Sequence, residues 1–248
     1  MTAENKQPAN WQEEDSHLFQ EWGSLFTPRQ WEMKATILNL LPKKKEEPFH
    51  VVEIGCGSGW LSEAILEKFS QVNITALDGS PAMLSTTKER LKPFEDRVAY
   101  QLFRLEEDAW LASLQQKVDV FVSSLVIHHL DDEEKKQFFQ QLYDALLPGG
   151  ALVIADLVKP HHQQIENHWA EEWDHVVKEQ SKDAYGDLRG FDAFVKEEWN
   201  LYRYPDELLD KPSLLSDQLK WLEQAGFQGV DVSWLKAGHA IFSGYKKK

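Results

Sequence analysis

Five short β-rich runs recur through the first two thirds of the chain, separated by segments with helical spacing. They are Phe49 to Gly55, Asn73 to Gly79, Arg97 to Phe103, Val118 to Leu125 and Ala151 to Leu157. Several are almost continuously apolar, as strands covered on both faces are, and covered strands alternating with helices build a parallel sheet wound on both sides. The intervening segments have the matching period. Leu61, Ala64, Ile65 and Phe69 share one helical face, as do Phe138, Leu142 and Leu146. Helix boundaries are also readable: Ser80 caps a helix with Pro81 at its first position, and Asp131 caps another that ends at Gly149 and Gly150.

Two regions stand outside the series. Residues 1–45 form an N-terminal extension, polar at first and helical from Trp31 to Leu41, expected to cover the site. Residues 46–248 form the main domain, interrupted at about 159–212 by a stretch of histidine, tryptophan and charge that predicts a helical lid above the sheet. A helix over Leu214 to Gly226 and an antiparallel hairpin, Gly229 to Leu235 with His239 to Lys246, complete the chain at the sheet edge.

Composition narrows the partners. With 42% hydrophobic and 27% charged residues the chain has the balance of a globular domain, and a formal charge of −14 argues against generic nucleic acid, which is held through many Lys and Arg contacts. A small-molecule substrate fits better. The start of the chain lacks a basic segment followed by an apolar one, and no apolar run approaches a membrane span, so a cytoplasmic protein with no membrane partner is expected. One cysteine, Cys56, excludes an intramolecular disulfide and a multi-cysteine metal centre. His161 with Glu166 and His168 with Glu172 lack the H-E-x-x-H spacing, so these residues read as solvated helix faces and no metal is expected. Trp169, Trp173, Trp199 and Trp221 read first as core packing, with an aromatic substrate cage as the sharper alternative.

The stretch VVEIGCGSGW places Gly55, Gly57 and Gly59 at the carboxyl end of the first strand, where an open α/β sheet binds ligands. A dinucleotide fingerprint would need glycine at position 60, which is Trp60, and no Lys-Ser or Lys-Thr follows to make a P-loop. Glycines without Cβ atoms let a ligand lie against the main chain. Glu53 offers a carboxylate to a ligand amine, and Asp78 at the end of the second strand can accept from both hydroxyls of a ribose. A nucleoside carrying an ammonium satisfies both.

From Val51 to Leu157 the chain resembles the class I S-adenosylmethionine-dependent methyltransferases, through VVEIGCGSG, ALDGSPAML, VDVFVSSLVIHHLDD and LLPGGALVIADL in order. The resemblance implies a Rossmann-like, mostly parallel seven-stranded sheet whose last two strands are the C-terminal hairpin. It implies that Glu53, Gly55, Cys56, Gly57 and Gly59 hold the methionine portion of S-adenosylmethionine, that Asp78 and Gly79 hold the ribose, that Met83 lies near the adenine and that Ser124 borders the sulfonium. S-adenosylhomocysteine would be the product. One motif departs: where many relatives carry an Asp for the adenine amino group this chain has Arg104, leaving Leu105, Glu106 or Glu107 to serve.

Methyl transfer needs the acceptor in line with the S–CH₃ bond, and a base only where the acceptor is a hydroxyl or protonated amine. His128, just past the fourth strand, is the expected base because imidazole titrates near neutrality, with Asp156 orienting it or the substrate; His129 reads as a hydrogen-bonded strand-end residue. Tyr202, Tyr204 and His239 are expected to bind substrate. The same binding motifs also serve an S-adenosylmethionine-modifying or aminocarboxypropyl-transferring enzyme, and a non-catalytic S-adenosylmethionine-binding protein. Neither the acceptor nor the oligomeric state is legible in the sequence.

Overall fold

A computed structural model describes residues 13–43, 46–105, 107, 109–114, 117–206 and 208–248. The elements run α1 (Glu13–Phe26), α2 (Gln30–Leu40), β1 (Phe49–Ile54), α3 (Trp60–Lys68), β2 (Val72–Asp78), α4 (Pro81–Arg90), β3 (Val98–Leu102), α5 (Ala109–Ser113), β4 (Val118–Ser124), α6 (Asp132–Ala145), β5 (Leu146–Leu157), α7 (Gln163–Tyr185), α8 (Arg189–Lys196), α9 (Leu215–Ala225), β6 (Gln228–Lys236) and β7 (His239–Tyr245). The strands form one sheet in the order β3-β2-β1-β4-β5-β7-β6. The first five are parallel, and β7 runs antiparallel to β5 and β6.

Every residue of β1 is buried, which is why that strand reads as an unbroken apolar run with one acid in it. Its alternate side chains feed two cores. Val51 joins Ile74, Val120 and Val153 against Met33 of α2 and Leu61 and Ile65 of α3. Val52 and Ile54 join Phe121 and Ile154 against Phe138 and Leu142 of α6 and Leu222 of α9. Local caps match the sequence signals: Ser80 Oγ accepts from Met83 N at the start of α4, and Asp131 and Glu134 make a reciprocal capping box on α6.

Two elements differ from the expectation. α6 ends at Ala145, not at the glycines, and Leu146 to Gly150 belong to β5. The C-terminus explains this: Gly149 N donates to Lys246 O and Lys246 N to Gly150 O, both at 2.9 Å, while a Cβ on Gly150 would stand 2.5 Å from Asp119 O. Within the N-terminal helical extension only Trp31 to Leu41 has readable bounds, and α1 adds a helix ahead of it whose first turns are polar. Trp22, Leu25 and Phe26 from its second half pack with Trp173, Val177 and Phe194 of α7 and α8, and with Leu157 and Ala237 at the ends of the strands. Trp173 Nε1 donates to Phe26 O at 2.7 Å, fastening α7 to α1. This third cluster lies beside the carboxyl ends of the central strands.

Candidate active site

Where β1 ends, Gly55, Gly57 and Gly59 all take positive φ, at 70°, 53° and 79°. Two of them are needed for packing: a Cβ on Gly55 would lie 2.2 Å from Val126 Cγ2, and one on Gly59 2.9 Å from Thr87 Cγ2. Gly57 differs. The space above it is open except for Phe19 Cε1 at 3.8 Å, so here the missing side chain leaves room for a ligand under a roof supplied by α1. Gln20, the next residue of α1, donates to Thr86 Oγ1 on α4 at 3.0 Å and holds that roof down.

Asp78 organises the same turn. Its carboxylate accepts from Gly57 N at 2.7 Å and from Ser80 N at 2.9 Å, locking the ends of β1 and β2 together. Cys56 N donates to Leu77 O at 2.8 Å; its buried thiol, with a pKa pushed well up by burial and by Asp78 and Glu53, is a packed residue beside Thr87. Glu53 lies fully buried, accepting from the Ser62 hydroxyl of α3, and burial pushes its carboxyl up to about 8. At neutral pH it is mostly protonated, a hydrogen-bonding acid instead of a counter-ion. Met83 is buried on α4, a Cβ on Gly79 would meet only Phe103 O at 3.5 Å, and Leu105 follows as a half-buried turn residue. Arg104 is exposed and faces Glu107 at 3.7 Å; Glu106 lies outside the described residues.

These residues fit S-adenosylmethionine on two observations. Gly57 offers an open cradle, and Ser124 Oγ at the end of β4 is a buried oxygen without a hydrogen-bond partner among the described residues. A buried hydroxyl is normally satisfied, so an orphan at a strand end beside a cavity has the character of a ligand contact.

The turn after β4 carries the titratable groups. Leu125 is held at φ 59°, a strained value for a β-strand exit, and a short 3-10 turn then presents His128 and His129. β4 and β5 are neighbours, which brings Asp156 to His128: the main-chain N–H donates to Oδ2 at 2.9 Å and the ring Nδ1 pairs with Oδ1 at 2.5 Å. His128 Nε2 stands 3.4 Å from Asp210 Oδ1. Burial alone lowers the imidazole pKa, but Asp156 and Asp210 together reverse that and raise it to about 9. The ionisation expected near neutrality is therefore moved up. Burial also works on Asp210, yet His128 and His129 keep its pKa below the usual carboxylate value.

His128, His129 and Asp210 bring one ligand atom each within 4.8 Å of one another. His129 Nδ1 lies 3.0 Å from Leu209 O, so in the tautomer that bond requires this nitrogen carries hydrogen and has no lone pair for an ion. Burial and the His128 charge lower its pKa to about 4.

Asp210 was not anticipated, and no periodic signal marks it. It is set by a clasp: Lys211 N donates to His128 O at 2.8 Å, and Lys135 Nζ, buried on α6, donates to Leu130 O and Lys211 O at 2.6 Å and to Ser213 Oγ at 2.8 Å.

Above these groups is a cavity of about 830 Å³. His128, Asp210 and His239 line it, with Leu125 next to Ser124 and Phe19 shared with the glycine turn. Tyr204, Trp173 and Trp199 add aromatic wall. His239 is buried edge-on to Trp173, its Nδ1 hydrogen directed to Ala237 O at 2.9 Å, and burial lowers its pKa to about 4, so its ring is neutral. Tyr202 lies outside this cavity: its hydroxyl bonds the carbonyls of Val158 at 2.8 Å and Gly238 at 2.9 Å, and it lines a neighbouring depression with Pro160 and Glu166. Trp169 and Trp221 pack against the cores, whereas His161, His162, His168 and His175 are exposed. No helix among the described residues is long and apolar enough to cross a membrane.

Residues 52–152, which contain the glycine turn, Asp78, Ser124 and His128, match the family model described as a methyltransferase domain. That stretch is a methyltransferase domain, in line with the resemblance to the class I S-adenosylmethionine-dependent methyltransferases read from the sequence. The chain is 33% identical over 125 residues to malonyl-(acyl-carrier protein) O-methyltransferase 2 of Ilyobacter polytropus, covering 50% of this chain and 46% of that protein. It thus spans about half the length of that relative. It is 26% identical to trans-aconitate 2-methyltransferase of an Acidovorax species, covering 86% of this chain and 80% of that one. The crystal structure of human N-acetylserotonin methyltransferase with S-adenosylmethionine matches its fold at a TM-score of 0.58 and 16% identity, over 96% of this chain and 57% of that one.

Proposed function

We propose that this methyltransferase moves the methyl group of S-adenosylmethionine to a small-molecule acceptor seated in the cavity of about 830 Å³. The observation that carries the reading is a shared lining: Phe19, which stands over Gly57, and Leu125, the residue after Ser124 with its unpartnered Oγ, line the same cavity as His128 and Asp210. When bound, the cofactor supplies a sulfonium methyl carbon open to a nucleophile in line with its S–C bond.

The chain's own residues then have distinct tasks. Gly55 to Gly59 with Glu53 would hold the methionine portion, Asp78 and Gly79 the ribose, Met83 and Leu105 the adenine, and Ser124 the region of the sulfonium. His128 and Asp156 hold a proton between Nδ1 and Oδ1, leaving Nε2 to exchange one with the acceptor or Asp210. Tyr204 and His239 orient the acceptor. Residues 159–212 and α1 act as cover, excluding water so that alignment, which is worth up to ~7–11 kcal/mol in favourable intramolecular cases, can be used.

The relatives named above act on malonyl-(acyl-carrier protein) and on trans-aconitate. A carrier-borne acceptor is one class to include in screening. Incubation with methyl-labelled cofactor, beside cofactor labelled in its carboxyl group, tests the proposal: label transferred only from the methyl position supports it. Transfer of the carboxyl label would establish aminocarboxypropyl transfer, and tight S-adenosylhomocysteine binding without any turnover a non-catalytic binder.

A further inference from the structure

We infer that the acceptor is a nitrogen compound, an amine carried on a small aromatic skeleton; the inference rests on the methyl-transfer reading and names its substrate class. The cavity wall includes the acids Glu197, Glu198, Asp206 and Asp210, and no lysine or arginine among the described residues lines it. Glu197 pairs with Lys196 at 2.6 Å, so the surplus negative charge comes from Glu198, Asp206 and Asp210. Of the two histidines, His239 is neutral, and the charge of His128 is already matched by Asp156, with Asp210 as a second carboxylate on its other side. A carboxylate acceptor therefore finds no free cation here, and it would give up its water to sit among like charges.

The same wall suits a cation. Phe19, Trp173, Trp199 and Tyr204 give it aromatic lining, and Phe19 and Trp199 stack with centroids 6.3 Å apart. An ammonium over the face of an aromatic ring is attracted by the ring quadrupole, most strongly where water is excluded. Glu198 is held at φ 50°, left-handed backbone that a glutamate seldom adopts, so the fold keeps an acid at the rim at some conformational cost.

Chemistry points the same way. The bound ammonium first gives up a proton to water by way of the His128 and Asp210 pair, and the lone pair so freed forms the new N–CH₃ bond as the S–CH₃ bond breaks, whose electron pair stays on sulfur. Positive charge thus appears on nitrogen as it leaves sulfur, and fixed carboxylates around the nitrogen stabilise that change. Any N–H proton then passes to water by way of the Asp210 carboxylate. With a carboxylate acceptor the reaction would instead neutralise an anion that the wall repels.

The test is calorimetric binding to the full chain saturated with S-adenosylhomocysteine, comparing tryptamine, phenethylamine and benzyltrimethylammonium with indole-3-propionate and 3-phenylpropionate at pH 7. The amines are expected to bind at least about tenfold more tightly than the carboxylates of matching skeleton. The preference should shrink in the double variant Glu198→Gln, Asp206→Asn, whose substitutions lie on the exposed rim and leave S-adenosylhomocysteine affinity unchanged. Absence of a preference, or a preference for the carboxylates, while S-adenosylhomocysteine still binds overturns the acceptor class alone. Failure of the unmodified chain to bind S-adenosylhomocysteine would instead strike the methyl-transfer reading.

Discussion

Asp156 holds His128 through two contacts, one to its main-chain N–H at 2.9 Å and one to its ring Nδ1 at 2.5 Å. A single carboxylate at the end of β5 thereby fixes both the backbone of the turn after β4 and the orientation of the imidazole above it. The arrangement leaves Nε2 as the nitrogen that meets Asp210 and the cavity.

This geometry changes the pH at which His128 acts. With its pKa raised to about 9, the imidazole is protonated at neutral pH, and only the deprotonated fraction can take a proton from an acceptor. The rate with a protic acceptor is expected to climb through neutrality and level off near pH 9. Replacing His128 by Gln should lower the rate by roughly 10²–10⁴-fold and flatten that rise. A profile that already levels near pH 6.5 and is retained by His128→Gln would remove this residue from proton transfer.

A cofactor prediction follows from Asp78. Its carboxylate accepts from Gly57 N and Ser80 N at the turn where the ribose hydroxyls are expected to bind. Asp78→Ala should weaken S-adenosylhomocysteine by roughly 1.5–3 kcal/mol for each charged hydrogen bond lost. The measurement is calorimetry on a variant whose far-ultraviolet spectrum shows it folded, and an unchanged affinity would contradict the assignment.

Much of this site was legible because its parts sit at strand ends. An apolar run announces β1, β2, β4 and β5, and the residues just beyond each run are Gly55, Gly79, Leu125 and Val158, which mark the edge where ligands bind. What was not legible came from elements whose place is set by distant contacts. Phe19 roofs Gly57 because α1 packs on α7, although the spacing of Phe19, Trp22 and Phe26 was a readable amphipathic stripe. Asp210 reaches His128 from a loop 82 positions along the chain, and no local pattern encodes a hydrogen bond such as that between Lys135 and Lys211. The pKa of His128 likewise depends on a second carboxylate invisible from its own segment.

Lys135 gives a test of that long-range placement. Burial lowers its pKa to about 8, and its ammonium satisfies two carbonyls and a hydroxyl that join α6 to residues 211–213. Lys135→Met fills similar volume but leaves these acceptors without a donor, at roughly 1–3 kcal/mol for each left unsatisfied. Thermal stability should fall, and the amine preference of the cavity should fall with it as Asp210 loses its seat. An unaltered Tm would mean that residues 209–213 are held by other contacts.

Glu53 supplies the prediction with the least expected sign. Its folded pKa of about 8 lies above the ordinary 4.5 of a glutamate, chiefly because the carboxyl is buried, with Ser62 partly compensating and Asp78 adding repulsion. The folded chain therefore keeps a proton that the unfolded chain releases, so this group's contribution is full below pH 4.5 and is lost as pH rises through about 8. Across that window the stability should decline with a slope approaching ~1.4 kcal/mol per pH unit from this residue alone. Glu53→Gln retains an acceptor for the Ser62 hydroxyl and has no proton to lose. Urea midpoints measured without ligand from pH 5 to 8 should thus coincide for the two proteins at the acid end and diverge upward for the variant as pH rises. Superposable curves, or a variant that is weaker at pH 8, would show that Glu53 is ionised in the folded chain and that its carboxylate is stabilised by something other than Ser62.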